Sequence, residues 1–151
     1  MAPWERTVYD TILVPTDGSD GAAAAAAHAV DLAKAHGATL HALYVVDVRM
    51  SPISASMDHD EVIELVDESG ERPTAAVLDR AERAGVPTVE AIRLGVPHRT
   101  IRKYADAEGV DLVVMGTHGR TGVEHALVGS VTERVVRTLD VPVLTVHPGS
   151  A

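Results

Sequence analysis

Cysteine is absent from this 151-residue sequence, and lysine occurs only at Lys34 and Lys103. Without cysteine the chain has no disulfides, no thiolate metal ligands and no cysteine nucleophile. Acidic residues outnumber basic ones by 22 to 13, which leaves a formal net charge of −9. Because nucleic acids and anionic membranes require a basic face, this balance argues against both as main partners.

Long hydrophobic runs are also missing. No apolar run approaches the ~20 residues that a membrane helix requires. The first ten residues carry charges and have no apolar core, unlike a secretory signal. These absences predict a soluble, cytoplasmic protein, and the length of 151 residues predicts a single domain.

Short segments rich in valine, isoleucine and leucine alternate with helical patterns along the whole chain. These segments are residues 11–16, 38–46, 87–94, 110–115 and 141–146. The alternation predicts an α/β fold, because strands that are separated by helices form a parallel sheet. We predict one doubly wound, five-stranded parallel sheet in the strand order 3-2-1-4-5, with helices on both faces.

The helical patterns have recognisable ends. The first helix is predicted over residues 19–36, with Gly37 as its C-terminal cap. Its buried face is predicted to carry Ala22, Ala26, Ala29 and Ala33. Later helices are predicted at residues 74–85, at 97–109 and from 130 onward. Residues 48–73 give a weaker signal, which indicates a mobile flap or a short helix, or else only a solvated acidic face.

A glycine-rich loop follows the fourth predicted strand. Gly116 and Gly119 are separated by two residues, and Gly129 follows after nine more. Without a Cβ these glycines can take positive φ and let backbone N–H groups approach a ligand. Ser130 and Glu133 predict a capping box, so that the positive end of a helix faces the loop. The pattern indicates a phosphate-binding loop, and plain turn and cap residues are the alternative.

Two common nucleotide motifs do not fit this loop, and its polar neighbours each allow two roles. The loop lacks the lysine of a Walker P-loop, and it does not open a first βαβ unit as a dinucleotide fingerprint does. Asp17, after the first strand, either points at a ribose hydroxyl or a metal ion, or caps the first helix. His118 and Arg120 either contact phosphate or are solvated. The histidines show no zinc-site spacing and no nucleophile elbow is present, so no catalytic residue is predicted.

These motifs resemble the universal stress protein family. The resemblance runs through residues 12–19, 95–97, 110–116 and 142–146, and the family's Gly-x2-Gly-x9-Gly-Ser signature is complete. That signature marks the ATP-binding branch. The resemblance therefore implies one nucleotide-binding domain over residues 1–151 that takes ATP, or ADP or AMP. Because ATP is anionic and the chain is itself acidic, Mg²⁺ or Mn²⁺ is expected with the nucleotide, through ligands that the sequence does not name.

The resemblance also implies which residues meet the nucleotide. The glycine loop and the following helix start would hold phosphates and ribose, the end of the first strand would border the adenosine, and the Val45 backbone would read adenine. The implied binding residues are Pro15, Thr16, Asp17, Val45, Met115, Gly116, Gly119, Gly129, Ser130, Val131 and Thr132. His118 and Arg120 are added as candidates because they lie in the glycine-rich loop, not because of the resemblance.

By the same resemblance, the protein is a nucleotide-dependent stress-response switch that forms a homodimer through the last strand, residues 141–147. Two other functions stay open. One is a slow ATP hydrolase, in which Asp17 holds metal and water or His118 assists. The other is a dimeric interaction module that binds no nucleotide. The related PP-loop enzymes carry a different turn after the first strand, which argues against adenylating chemistry.

Overall fold

A computed structural model describes residues 8–50, 56–70, 72–118 and 128–149. The elements are β1 Thr11–Pro15, α1 Asp20–His36, β2 Thr39–Asp47, α2 His59–Glu68, α3 Ala75–Arg83, β3 Thr88–Gly95, α4 Pro97–Ala107, β4 Leu112–Gly116, α5 Ser130–Thr138 and β5 Val143–Val146. Within these described ranges no helix is both long enough and apolar enough to cross a membrane.

The five strands form one sheet in the order β3-β2-β1-β4-β5, and every neighbouring pair is parallel. This confirms the predicted fold class and strand order. β1 is the central strand, and Leu13 pairs with His41 of β2 on one side and with Val113 of β4 on the other. The strand order reverses between β1 and β4, and in open parallel α/β sheets ligands bind in the crevice at the carboxyl edge of such a reversal.

Both faces of the central strand are buried, and each face carries a helical layer. Ile12 and Val14 pack with the inner sides of α1 and α3, whereas Leu13 packs with α4 and α5. All three side chains are fully buried. Successive strand residues point to opposite faces, so the uninterrupted apolar run of β1 supplies both cores at once.

Helix α1 follows its sequence pattern closely. Its four predicted core alanines, Ala22, Ala26, Ala29 and Ala33, are buried. The Ser19 hydroxyl accepts the N–H of Ala22 at 3.2 Å and caps the first turn, and Gly37 ends the helix with φ 67°. Small side chains on the inner face allow the helix axis to approach the sheet closely.

The weakly patterned segment before β3 contains a short helix, α2. Asp58 caps α2 by accepting the N–H of Glu61 at 2.9 Å. Val62 and Val66 are the buried side chains of this helix, and they pack against Ile92 of β3. The helical alternative for this part of the chain is therefore confirmed for α2.

The fourth strand begins later than its apolar run predicted. Val110 is buried, but its N–H donates to the Ala105 carbonyl at 3.0 Å and so belongs to the turn that ends α4. The fifth strand also starts two residues late, at Val143, because the preceding Pro142 has no N–H to give to a ladder. Apolar content alone does not separate a strand from a buried turn beside it.

Candidate functional site

β1 ends in a turn, residues 16–19, that lies at the carboxyl edge of the sheet. The N–H of Thr16 donates to the Leu43 carbonyl at 2.9 Å, which continues the sheet pairing by one residue. The Thr16 hydroxyl accepts the N–H of Gly18 at 3.3 Å, and Asp17 Oδ1 accepts the N–H of Ser19 at 3.0 Å. Ser19 caps α1, so the capping alternative for Asp17 is wrong.

Gly116, at the end of β4, packs directly against the first turn of α1. A Cβ on Gly116 would lie 2.6 Å from the carbonyl carbon of Gly21, and a Cβ on Gly21 would lie 2.7 Å from the His118 carbonyl oxygen. Gly116 does not have a positive φ, and Gly129 has φ −66°, so neither uses the left-handed conformation that its lack of a Cβ would allow. These glycines serve close packing and helix capping instead, while Gly119 lies outside the described residues.

Helix α5 begins one residue earlier than a capping box at Ser130 requires. Gly129 occupies the N-cap, Ser130 is the first helical residue, and no described side chain caps this helix. The predicted capping box is therefore wrong, and Glu133 pairs with Arg137 one turn later instead. The first intrahelical bond runs from the Glu133 N–H to the Gly129 carbonyl, so the N–H groups of residues 130–132 precede it.

Two hydrogen bonds tie the start of α5 to the end of β4. The Thr132 hydroxyl, which is buried, donates to the Gly116 carbonyl at 2.8 Å. The Gly129 N–H donates to the Thr117 carbonyl, and the Thr117 N–H donates to the carbonyl of Val146 in β5. The two ends of the glycine-rich loop are therefore fixed relative to each other and to the sheet.

Most of the predicted binding residues lie together at this edge of the sheet. β1 and its turn contribute Pro15, Thr16 and Asp17, the end of β2 contributes Val45, and the segments around the loop contribute Met115, Gly116, His118, Gly129, Ser130, Val131 and Thr132. Met115, Val45 and Val131 pack in one apolar cluster beneath the edge. Arg120, like Gly119, falls outside the described part of the chain.

Cationic side chains collect beside the same edge, although the protein is acidic. Arg49, just after β2, donates to Asp47 at 2.9 and 2.7 Å, and this holds the pKa of Asp47 below its usual range. Burial, together with the positive charges of Arg134, Arg99 and Arg49, lowers the pKa of His98. No sequence pattern indicates this cluster, because its members follow β2 or belong to α4 and α5 and lie far apart in the chain.

No three histidine, aspartate or glutamate side chains gather as a metal-ligand set within the described residues. Asp17 is the carboxylate that lies in the β1 turn itself.

The fold is that of a doubly wound α/β protein, a class that binds ligands at the edge where the strand order reverses, here between β1 and β4. The model of the universal stress protein family matches residues 8–147. The chain therefore belongs to the universal stress protein family.

Two relatives from Methanocaldococcus jannaschii show the extent of the similarity. Universal stress protein MJ0531 is 42% identical over 144 residues, which cover 93% of this chain and 84% of the relative. Universal stress protein MJ0577 is 30% identical over 154 residues, which cover 92% of this chain and 95% of the relative.

Solved structures agree with the fold. The structure of MJ0577 superimposes with a TM-score of 0.82 at 32% identity, covering 96% of this chain and all of that one. A universal stress protein in complex with cAMP superimposes with a TM-score of 0.69 at 29% identity, covering 95% of this chain and all of that one. A structural relative of this chain thus binds an adenine nucleotide.

Proposed function

We propose that this protein binds ATP at the carboxyl edge of β1 and β4 and acts as a nucleotide-dependent stress-response switch. The start of α5 carries the proposal: it has no side-chain cap among the described residues, and two hydrogen bonds fix it to the end of β4. Each N–H that meets a charged phosphate oxygen contributes about 1.5–3 kcal/mol. The cAMP complex of a relative supports an adenine nucleotide as the ligand.

In this proposal the two sides of the crevice receive different parts of the nucleotide. The phosphates bind the N–H groups of Ser130, Val131 and Thr132, with Gly119, His118 and Arg120 of the loop completing the contact. The adenosine lies along the β1 turn, with Asp17 at the ribose and the Val45 backbone at the adenine. Mg²⁺ or Mn²⁺ accompanies the phosphates and takes phosphate oxygens among its ligands, because hard cations prefer oxygen.

Ser130→Ala tests the phosphate side. The exposed Ser130 hydroxyl stands beside the α5 N–H groups that precede the first intrahelical bond, so its loss removes one hydrogen bond to phosphate and weakens ATP binding about fivefold. Isothermal titration calorimetry with ATP and MgCl₂ measures the change. Ser69→Ala is the control, because Ser69 lies at the end of α2 and donates to the Val66 carbonyl. Equal affinity for Ser130→Ala and wild type would contradict the assignment, and no binding to wild type would reject the function.

A switch also differs from an enzyme in what happens after binding. The described edge places no activated nucleophile or base beside the proposed phosphates, and Asp17 is already engaged with the Ser19 N–H. We therefore expect nucleotide to stay bound without multiple-turnover phosphate release. Sustained release that is lost in Asp17→Ala would instead identify a slow hydrolase.

We also propose that two copies pair through β5. β5 is an edge strand that pairs only with β4 in the sheet, and its Leu144 side chain is 38% exposed. An exposed apolar edge is a surface that proteins normally cover. Val89, on the opposite edge strand β3, is similarly exposed at 42% and offers a matched control.

Light scattering coupled to size-exclusion chromatography should give twice the 15.9 kDa mass of one chain. Leu144→Lys places a charge in the proposed interface and should shift the protein to the monomer, whereas Val89→Lys should leave the dimer intact. A monomeric wild type, or dissociation caused by Val89→Lys alone, would show that β5 is not the interface.

A further inference from the structure

We propose that Thr74 and Glu90 are positioning residues of the nucleotide site, which hold the β1 turn in its binding geometry through the backbone of Pro73. The inference rests on the proposed function for its ligand. The inference also states that β3 and the turn after β1 are mechanically linked, and this link can be tested without any nucleotide.

The link is built on one carboxylate. Glu90, on β3, accepts hydrogen bonds from Arg72 Nε at 3.0 Å and from Arg72 Nη2 at 2.6 Å. Its Oε2 also accepts the hydroxyl of Thr74 at 2.6 Å. The Arg72 hydrogen bond, followed by that of Thr74, holds the pKa of Glu90 below its usual range, so the carboxylate stays charged. Three hydrogen bonds thus fix the segment 72–74, which we call the clasp, onto β3.

Pro73, at the centre of the clasp, reaches the site. Its carbonyl accepts the hydroxyl hydrogen of Thr16 at 3.3 Å, and the same hydroxyl accepts the Gly18 N–H. Pro73 and the β1 turn also line one cleft between α1 and α3. The position of the Pro73 carbonyl therefore sets the orientation of the Thr16 hydroxyl, and that hydroxyl organises the turn that carries Asp17.

The hydrogen bonding of Thr74 also favours a role in the clasp over a role in capping helix α3. It occupies the N-cap of α3, where a threonine oxygen normally accepts an N–H of the first turn. Here the side chain makes no cap bond, and the fully buried hydroxyl donates to Glu90 instead. Helix α3 forgoes its side-chain cap, while the clasp gains a hydrogen bond to a charged acceptor, which is a stronger kind of bond.

The clasp also joins α2 to the site. Asp67, near the end of α2, forms an ion pair with Arg72 through Nη1, whereas Glu90 is bonded by Nε and Nη2. One arginine therefore connects α2 with β3, and the next two residues connect both with the β1 turn. A disturbance of the clasp is expected to reach the turn without any change in the residues that would touch nucleotide.

The test uses Thr74→Val, which keeps the shape of the side chain and removes the hydroxyl, and Glu90→Gln, which removes the charge. We expect each to weaken binding of ATP with MgCl₂ about fivefold by calorimetry. Thr74→Ser restores the hydroxyl and should bind within about twofold of wild type. Thr88→Val and Glu82→Gln make the same exchanges at exposed positions and should change nothing.

A spectroscopic measurement separates positioning from general stability. In the nucleotide-free protein, the amide ¹H–¹⁵N signals of Gly18 and Ser19 should shift in Thr74→Val and Glu90→Gln but not in Thr88→Val. Unchanged turn signals and unchanged ATP affinity in folded variants would overturn the inference. Failure of wild type to bind ATP would reject the proposed function alone, because the amide shifts still report whether the clasp sets the turn. If Thr74→Val does not fold, Glu90→Gln decides both readouts.

Discussion

Gly116→Ala should lower the free energy of unfolding by about 3 kcal/mol, the largest loss that we expect from the removal or addition of a single methyl group in this protein. The new Cβ would lie 2.6, 2.8 and 2.9 Å from the carbonyl carbon, oxygen and Cα of Gly21. All three are backbone atoms, so no side chain can rotate away to make room. Helix α1 would have to move away from the end of β4. That movement would loosen the packing of the sixteen-residue apolar cluster in which the inner face of α1 is buried.

Urea unfolding followed by circular dichroism measures this loss. Gly37→Ala is the matched control, because a Cβ at Gly37 meets nothing within 4 Å and the position costs only its left-handed φ of 67°. That strain is worth about 1 kcal/mol. If the two variants lost the same stability, the close approach of α1 and β4 would not be present in solution.

The architecture could be predicted from the sequence because each of its determinants is local. The continuous apolar run of β1 indicates a strand buried on both faces, and the alanine spacing of α1 indicates a helix packed close to that strand. The alternation of such segments leaves few topologies to consider. Where prediction and structure differ, at Val110 and Pro142, the difference concerns one or two residues at the edge of an apolar run.

Most of the predicted site residues share one edge of the sheet, but the structural roles of the glycines there were not predicted. A positive φ concerns one residue only, so a glycine in a loop is enough to suggest it. The actual constraint on Gly116 is its contact with the backbone of Gly21, which lies 95 positions earlier in the chain. The sequence around Gly21 does not identify Gly116 as the residue that it contacts. A glycine in the first turn of an otherwise alanine-rich helix is the one local signal that could have pointed to a close approach.

The hydrogen bonds that connect the candidate site to other elements were even less predictable from the sequence than the roles of its glycines. The bond between Thr74 and Glu90 spans 16 residues, and that between Thr16 and Pro73 spans 57. The first joins the start of α3 to the strand that follows it, and the second joins two segments that only the assembled fold brings close. Residue types and their spacing therefore predicted the edge of the sheet where the candidate site lies, whereas the hydrogen bonds at that edge depend on the assembled fold.

Thr132→Val should lower the free energy of unfolding by about 2 kcal/mol, because it removes the donor to a buried carbonyl without changing the volume of the side chain. Thr132 is 3% exposed, and its hydroxyl lies 2.8 Å from the Gly116 oxygen. Water has no access to replace the lost partner. The cost of leaving that carbonyl unpaired is therefore not offset by solvent.

Thr138→Val provides the comparison within the same helix. The Thr138 hydroxyl donates to the Arg134 carbonyl at 2.7 Å in an exposed setting, where water can take its place, so its loss should cost less than ~0.5 kcal/mol. Thr132→Ser keeps the donor and should recover most of the stability, and both can be measured by urea unfolding. Equal losses for Thr132→Val and Thr138→Val would show that the Gly116 carbonyl has another partner. A larger loss at Thr132 would show that the start of α5 is held to β4 by this bond, as phosphate binding there requires.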